Sequence, residues 1–417
     1  MMLMLNYPIA IGLSPNTEKS DFRLALKVIL LPFLWLDGNL IKQVEEWFKN
    51  KFDVNCAKSY NSGRSAYYSL LKAFEIRDGD EVIIQPFTCV AVVDPILWVG
   101  AKPVYADIDE RLNIDPFKIE KVISKRTRAI VVQHTFGIPA SIDRIATICE
   151  KHGILLIEDC ANSLGAEYNN KPLGTFGDAS FFSFGRDKVI SSVFGGMAII
   201  NRQNQEAINR LEKIYKELAM PSYFWTFIQL LHPIFFTVIL PLYDILIGKI
   251  ILALCLKLRL INKPVAEMEK RGIKPSNFPE KYPNALAQLL LLQLEKLEKY
   301  NSNRRENAEY YYEHLAGLKN LVLPEKVDGS IYLRFNILTD KADLLLKTAK
   351  RKKILLGNWY RNLIDPYPVD YKIMNYKQNN CPKAQRLATM SVNLPTYPRI
   401  NNKNLETICN LIKSVCI

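Results

Sequence analysis

The eight cysteines of this 417-residue chain are scattered, and none stands in CxxC or CxxH spacing. That absence argues against a zinc site or a disulfide framework and fits a reducing cytosol. There is no internal repeat and no segment of low complexity. The opening stretch, Met1 to Lys19, has no positive residue ahead of its apolar part and no clear cleavage site, so no secretory signal is expected. Arginine-rich helices and aromatic–basic RNA motifs are also lacking, which removes nucleic acid from the expected partners despite a net charge of +13.

What is present is a chain long enough for one large domain and a smaller one, with ample core. Most lysines read as solvating the surface, while the positive excess admits an anionic partner. Two clusters stand out. One is Lys257, Arg259, Lys263, Lys270, Arg271 and Lys274; the other is Lys347, Lys350, Arg351, Lys352 and Lys353.

From about residue 60 helical and strand patterns alternate. Ser65 to Phe74 is helical in composition, and Asp78-Gly79-Asp80 turns into a strand, Glu81 to Gln85. Val90 to Val99 is an apolar helix ended by Gly100, followed by strands Pro103 to Ala106 and Ala129 to Val132. Ile142 to His152 is a helix stopped by Gly153, and Ile154 to Ile157 is a buried strand ending in Glu158-Asp159. Ala179 to Phe184 and Gly196 to Ile200 close the set. This alternation predicts an α/β fold with a mostly parallel sheet flanked by helices, whose ligands sit beyond the carboxyl ends of the strands. Asp159 and His134 fall there. The expected division is an N-terminal segment (1–54), a large cofactor-binding domain (55–218), an apolar and basic insertion (219–282), and a long helix, Ala285 to Leu318, leading a small α+β C-terminal domain (283–417).

Three residues carry the chemistry. Asp159 ends a strand, Ser183 stands near the end of another, and Lys188 follows five residues later. A carboxylate for a protonated ring nitrogen, a hydroxyl for a phosphate and an amine for a Schiff base are what pyridoxal phosphate requires. Singly, Asp159 reads as a loop acid and Lys188 as a surface lysine. Jointly they point to the cofactor, because Ser62-Gly63-Arg64-Ser65-Ala66 also opens a helix whose N-terminus can seat a phosphate. Arg186 has two open readings, a solvent-facing side chain or a contact to a substrate anion.

These residues resemble the DegT/StrS group of sugar aminotransferases, pyridoxal-phosphate enzymes of fold type I. The resemblance includes Gly79-Asp80-Glu81-Val82-Ile83, Asp107-Ile108-Asp109, Gly137-Ile138-Pro139, Glu158-Asp159-Cys160-Ala161, Gly174-Thr175-Phe176-Gly177-Asp178, Ser183-Phe184 and the late Asn393-Leu394-Pro395-Thr396. It implies that Lys188 is the Schiff-base lysine and proton shuttle, and that Asp159 holds the ring nitrogen protonated. Ser183 would bind the phosphate with the Arg64 and Ser65 backbone amides, and Asn162 would lie near the cofactor. It further implies a homodimer that takes an amino group, from glutamate, to a keto-sugar on a nucleotide or lipid carrier. Cys89 stands where the group places an aromatic over the ring. Val193-Phe194-Gly195-Gly196 replaces Gly-Glu-Gly-Gly, and Pro279-Glu280-Lys281 replaces an Asn-Tyr-Arg lent across the dimer interface, with Lys281 as the substitute for that arginine. Relatives with histidine for the lysine become dehydratases, so Lys188 argues for transamination. A dehydratase or lyase on the same scaffold, and a non-catalytic membrane-associated scaffold, remain as alternatives.

The insertion has two readings of its own. Pro221 to Leu242 is uncharged, and at ~20 residues it approaches the length that spans a bilayer. Pro233 and Pro241 should break a straight helix, and Asp244 and Lys249 interrupt the apolar surface that follows. Either Pro221–Leu256 is a buried helical pair or dimer contact, or it is a hairpin dipping into one leaflet. In the second case Tyr223, Phe224 and Trp225 would sit at the interface and Lys257 to Lys274 at anionic headgroups. The expected location is cytoplasmic, or on the cytoplasmic face of a membrane.

Overall fold

The computed structural model describes residues 7–201 and 204–416; the first six residues of the expected N-terminal segment lie outside this range. Strand β1 (Ile9–Ala10) and helices α1 (Lys19–Ile29) and α2 (Asn39–Phe52) come first. The central sheet is built from β2 (Cys56–Tyr60), β3 (Glu81–Ile84), β4 (Lys102–Tyr105), β5 (Thr127–Gln133), β6 (Leu155–Asp159), β9 (Ala179–Ser183) and β10 (Gly196–Ile200), with a small hairpin, β7 (Glu167–Tyr168) and β8 (Lys171–Pro172), set between β6 and β9. Helices α3 (Gly63–Ala73), α4 (Val90–Trp98), α5 (Pro116–Ile119), α6 (Ile142–His152) and α7 (Gln205–Glu217) alternate with these strands.

The strand order is β2-β10-β9-β6-β5-β3-β4. Every pairing from β9 through β4 is parallel, whereas β10 is antiparallel to both its neighbours. The strands are short apolar runs such as Glu81-Val82-Ile83-Ile84 and Leu155-Leu156-Ile157, which a sheet covered on both faces demands. One face packs on a cluster containing Tyr67, Leu70, Ile84 and Phe181; the other meets Ile83, Ile130, Ile145 and Leu156. The mostly parallel sheet expected from the alternation is therefore present. The reversed strand β10 matters for the site, because the 184–195 excursion joining β9 to β10 must turn back at the carboxyl end of β9.

Beyond the sheet come α8 (Tyr223–Ile239), α9 (Ile247–Lys257), α10 (Asn284–Leu294) and α11 (Leu297–Leu315). The single long helix expected over Ala285 to Leu318 is two helices. The chain steps at Glu295 and Lys296, where Lys296 reaches Glu18 at 3.0 Å and Asp21 at 3.5 Å beside α1. Pro233 does not break α8. It removes one intrahelical bond, but the helix is held from outside: Trp35 stacks on Phe227 with centroids 5.9 Å apart, and Ile228, Leu230, Phe236 and Ile239 are buried. The remainder, β11 (Arg334–Leu338), α12 (Ala342–Arg351), β12 (Ile354–Leu355), α13 (Pro382–Met390), β13 (Ser391–Pro395) and α14 (Asn402–Cys416), forms an α+β layer around the antiparallel β11–β13 pair. Strand β12 pairs in parallel with β1, tying the N-terminal segment to the C-terminal layer.

Candidate active site

Parallel strands end on one edge of the sheet, and that edge is where the chemistry collects. Asp159 is the last residue of β6 and Ser183 the last of β9; Lys188 rides the excursion that returns through β10. The N-terminus of α3 meets them from the side. Together they line a cavity of about 530 Å³, to which Ser62, Gly63, Arg64, Cys89, Asn162 and Arg186 also contribute.

The phosphate seat is set by how closely two backbones approach. A Cβ on Gly63 would fall 2.9 Å from the Ser183 Cβ, and one on Gly196 would fall 2.4 Å from the Gly63 nitrogen. Only glycine permits this contact of α3 against the ends of β9 and β10. Ser62 caps α3, its Oγ accepting from the Ser65 amide at 3.2 Å. That corrects one expectation: the Ser65 N–H is taken by the cap, its hydroxyl donates to Asn61 Oδ1 at 2.7 Å, and Ser65 does not line the cavity. The Gly63 and Arg64 amides meet no protein acceptor among the described residues, and neither does the Ser183 hydroxyl. Free first-turn amides with an unpartnered hydroxyl beside them fit a phosphate.

Asp159 is buried, and its Oδ1 accepts from the Ala161 amide at 3.0 Å; no described residue bonds to its other oxygen. Burial pushes its carboxyl above the usual range, while the Ala161 N–H and the charges of Lys188 and His134 pull the other way. A cationic N–H facing the free oxygen is the partner this arrangement lacks. Lys188 Nζ donates to Asn162 Oδ1 at 3.3 Å, and the Tyr360 hydroxyl also meets Asn162. The residues present therefore fit pyridoxal phosphate: an anion seat, an under-bonded carboxylate and an amine share one cavity.

The structure also shows what the neighbours of this trio do. The Arg64 side chain turns away from the helix axis to pair with buried Glu269 and the Pro264 carbonyl. Cys89 lines the cavity as the N-cap of α4, its thiol pushed up to about 11 by burial. Lys281 lies outside the cavity of its own chain, donating to the Lys216 carbonyl at 3.3 Å beside the Tyr215 ring. His134, Glu158 and Cys160 lie close enough to hold a metal, yet the first two are already committed. Glu158 accepts the amides of Gly174, Phe176 and Gly177 at 2.7–2.8 Å, and His134 Nδ1 accepts from Ala140.

Several lining residues carried no signal in the sequence. Arg334 lies 3.6 Å from the Trp359 ring centroid and donates to Asp187 at 3.0 Å, while Tyr360 stacks on Phe136 with centroids 5.7 Å apart. These residues come from the C-terminal layer, and Leu13 and Ser14 come from the N-terminal segment. The far wall belongs to the insertion: Phe236, Leu252, Leu256, Ile261, Lys263 and Val265. The one sequence cue to that wall is its apolar, basic composition.

The model of the DegT/DnrJ/EryC1/StrS aminotransferase family matches residues 16–219 and 260–413 and passes over the segment that holds α8 and α9. The chain is 30% identical over 365 residues to a UDP-N-acetyl-3-dehydro-alpha-D-glucosamine 3-aminotransferase of Acidithiobacillus ferrooxidans, covering 86% of this chain and 83% of that one. It is 27% identical over 381 residues to a GDP-perosamine synthase of Escherichia coli O157:H7, covering 90% of each. Its fold is similar to that of Helicobacter pylori PseC, an aminotransferase involved in the biosynthesis of pseudoaminic acid, with a TM-score of 0.75 at 23% identity over 99% of this chain and 98% of that chain. Sheet, cavity and relatives agree: the chain belongs to the DegT/DnrJ/EryC1/StrS aminotransferase family and is a pyridoxal-phosphate-dependent sugar aminotransferase that takes an amino donor and a keto-sugar.

Proposed function

We propose that Lys188 carries the cofactor and moves the proton in an amino transfer from glutamate to a diphosphate-linked keto-sugar. The observation that supports this most is the meeting of Asp159, Ser183 and Lys188 at the strand ends, each with bonding capacity unspent on protein. When bound, pyridoxal phosphate supplies an electron sink for the carbanion left after proton removal. Ser183 and the amides of Gly63 and Arg64 would hold its phosphate, and Asp159 would keep its ring nitrogen protonated through the free carboxylate oxygen. Asn162 holds the Lys188 amine in the cavity and so orients it for proton transfer. The Asp187 carboxylate neutralises Arg334, which leaves Arg186 as the cation at the sugar side.

Four finer points belong to the same reading. The large domain spans 55–218, and the insertion, 219–282, forms one wall of its cavity. The protein acts as a homodimer, with Lys281 reaching toward the partner rather than its own site. It works in the cytoplasm, at the membrane face, and touches the membrane through α9. Burial supports α9 over α8: about half of α8 is buried, whereas only Gly248 and Cys255 of α9 are. No single helix among the described residues is long and apolar enough to cross a membrane.

The test is the glutamate half-reaction. Holoenzyme given glutamate alone should lose the absorbance of the aldehyde form and gain that of the amine form, with 2-oxoglutarate released in equal amount. A cofactor spectrum unmoved by glutamate and by other amino acids would refute the aminotransferase assignment of these residues. Light scattering checks the dimer.

A further inference from the structure

Helix α9 is apolar on two sides. Ile247, Ile250 and Leu254 face outward, at 49%, 52% and 51% exposure, and Leu258 follows just past the helix. Leu252 and Leu256 line the catalytic cavity, together with Ile261. Leu256 does both, since it borders the cavity and is 39% exposed. The apolar wall of the cavity therefore continues through Leu256 onto the outer face of the molecule.

Charge decides what covers that face. Lys249, Lys257, Arg259 and Lys263 are exposed around it. Lys353 donates to the Asp244 carbonyl at 3.0 Å, which brings the second basic cluster, 347–353, to the same edge. A two-fold contact between copies would set this positive rim against itself. An anionic lipid surface complements it.

Inside the mouth, Arg186 forms no ion pair among the described residues; the Asp187 carboxylate, itself paired with Arg334, acts on it through its charge alone. Its guanidinium meets only the Asn262 carbonyl and the Phe194 ring, and its buried Nε has no acceptor. Lys263 stands nearby, held only by an exposed pair with Glu267 at 3.1 Å, an interaction weak enough to exchange. A buried cation with no ion-paired acid, at the inner end of an aliphatic wall, suits a diphosphate that carries a hydrocarbon chain. A nucleoside would place ring donors and acceptors against Leu252, Leu256, Ile261 and Val265, where α9 and the turn after it offer aliphatic side chains.

We propose that the keto-sugar reaches this cavity on an isoprenyl diphosphate presented from an anionic membrane, with the diphosphate at Arg186 and Lys263 and the first isoprene units along Leu252, Leu256 and Ile261. This rests on the aminotransferase reading above, which the glutamate half-reaction tests without any sugar. The probe here is binding to holoenzyme by calorimetry, comparing farnesyl diphosphate, inorganic diphosphate and UDP. Farnesyl diphosphate should bind at least about tenfold tighter than either, because the hydrocarbon adds buried apolar area to a shared diphosphate contact. Leu252→Ser with Leu256→Ser should erase the preference for the farnesyl compound while inorganic diphosphate binding persists. Arg186→Gln should weaken all three. The proposal is overturned if UDP binds as tightly as farnesyl diphosphate, or if the farnesyl compound binds no better than inorganic diphosphate. Either result leaves the glutamate half-reaction, and with it the parent reading, standing on its own data.

Discussion

The floor of the cavity and its outer wall are built on opposite terms. The floor joins Asp159 and Ser183, at strand ends whose spacing the sheet enforces, to Lys188 on the excursion that returns through β10. The wall, Leu252 to Val265, belongs to a helix and turn that are half exposed, and the helix lies in the stretch the family model passes over. The floor can hold a reaction constant because β6, β9 and β10 fix its atoms by register. The wall can change with the carrier of the sugar because little of the core depends on it. On the reading proposed here, chemistry is held by the rigid part and substrate choice by the adaptable part.

Changes on the floor should have the largest effects. Lys188→Ala should lower turnover by on the order of 10⁴-fold or more, since both the covalent anchor and the proton carrier are lost. Circular dichroism should show the fold intact, and full activity in this variant would end the assignment. Asp159→Asn should keep the cofactor bound but slow the glutamate half-reaction by about 10²-fold or more, measured by stopped flow, because an amide cannot hold the ring nitrogen protonated. If both variants behave like the wild type, the floor is not where the chemistry lies and the comparison fails.

Changes in the wall should spare the floor. Leu254→Asp, on the outward face of α9, should lower binding to vesicles rich in anionic lipid by about tenfold in a flotation assay. The glutamate half-reaction of the same protein in buffer should stay within twofold of wild type, by order of magnitude. Equal loss of both would mean that wall and floor are one cooperative unit.

The smallest effect is expected beside the cavity, where α4 lies near the Arg64–Glu269 pair. Asp94 of α4 is fully buried with both oxygens unpartnered, and burial, with the nearby Glu269 charge adding and Arg64 opposing, raises its carboxyl to about 8. A carboxyl raised on folding contributes stability at low pH that is lost as pH climbs from its unfolded value toward about 8. Asp94→Asn should therefore flatten the fall in Tm between pH 5 and 8, raising Tm at pH 8 by roughly 1–3 °C. An unchanged pH profile by differential scanning fluorimetry would remove Asp94 from this contact.

Much of the floor was legible along the chain. A strand-ending acid, a serine near the end of a second strand and a lysine five residues on are local facts, and the α3 N-terminus announces itself through Ser62 and Gly63. The reversal of β10 was not legible, because an apolar run has the same pattern in either direction. Ser65 was misassigned for a similar reason: sequence shows that a serine lies near a helix start, but only the cap geometry shows that Ser62 takes its amide. The continuity of α8 through Pro233 likewise depends on Trp35 and α1, more than 190 positions earlier in sequence, rather than on the helix itself.

By itself the sequence determined the family and the mostly parallel sheet and singled out the three groups we propose for the cofactor, because each depends on short-range pattern and on residue types that few other chemistries combine. The tertiary structure decided which apolar helix of the insertion is buried and which is bare. It also brought Leu13, Arg334, Trp359 and Tyr360 from distant parts of the chain into the cavity and aimed Arg64 at Glu269. Those outcomes rest on contacts between segments far apart in sequence, and burial is a property of the neighbours a segment finds, not of its own composition.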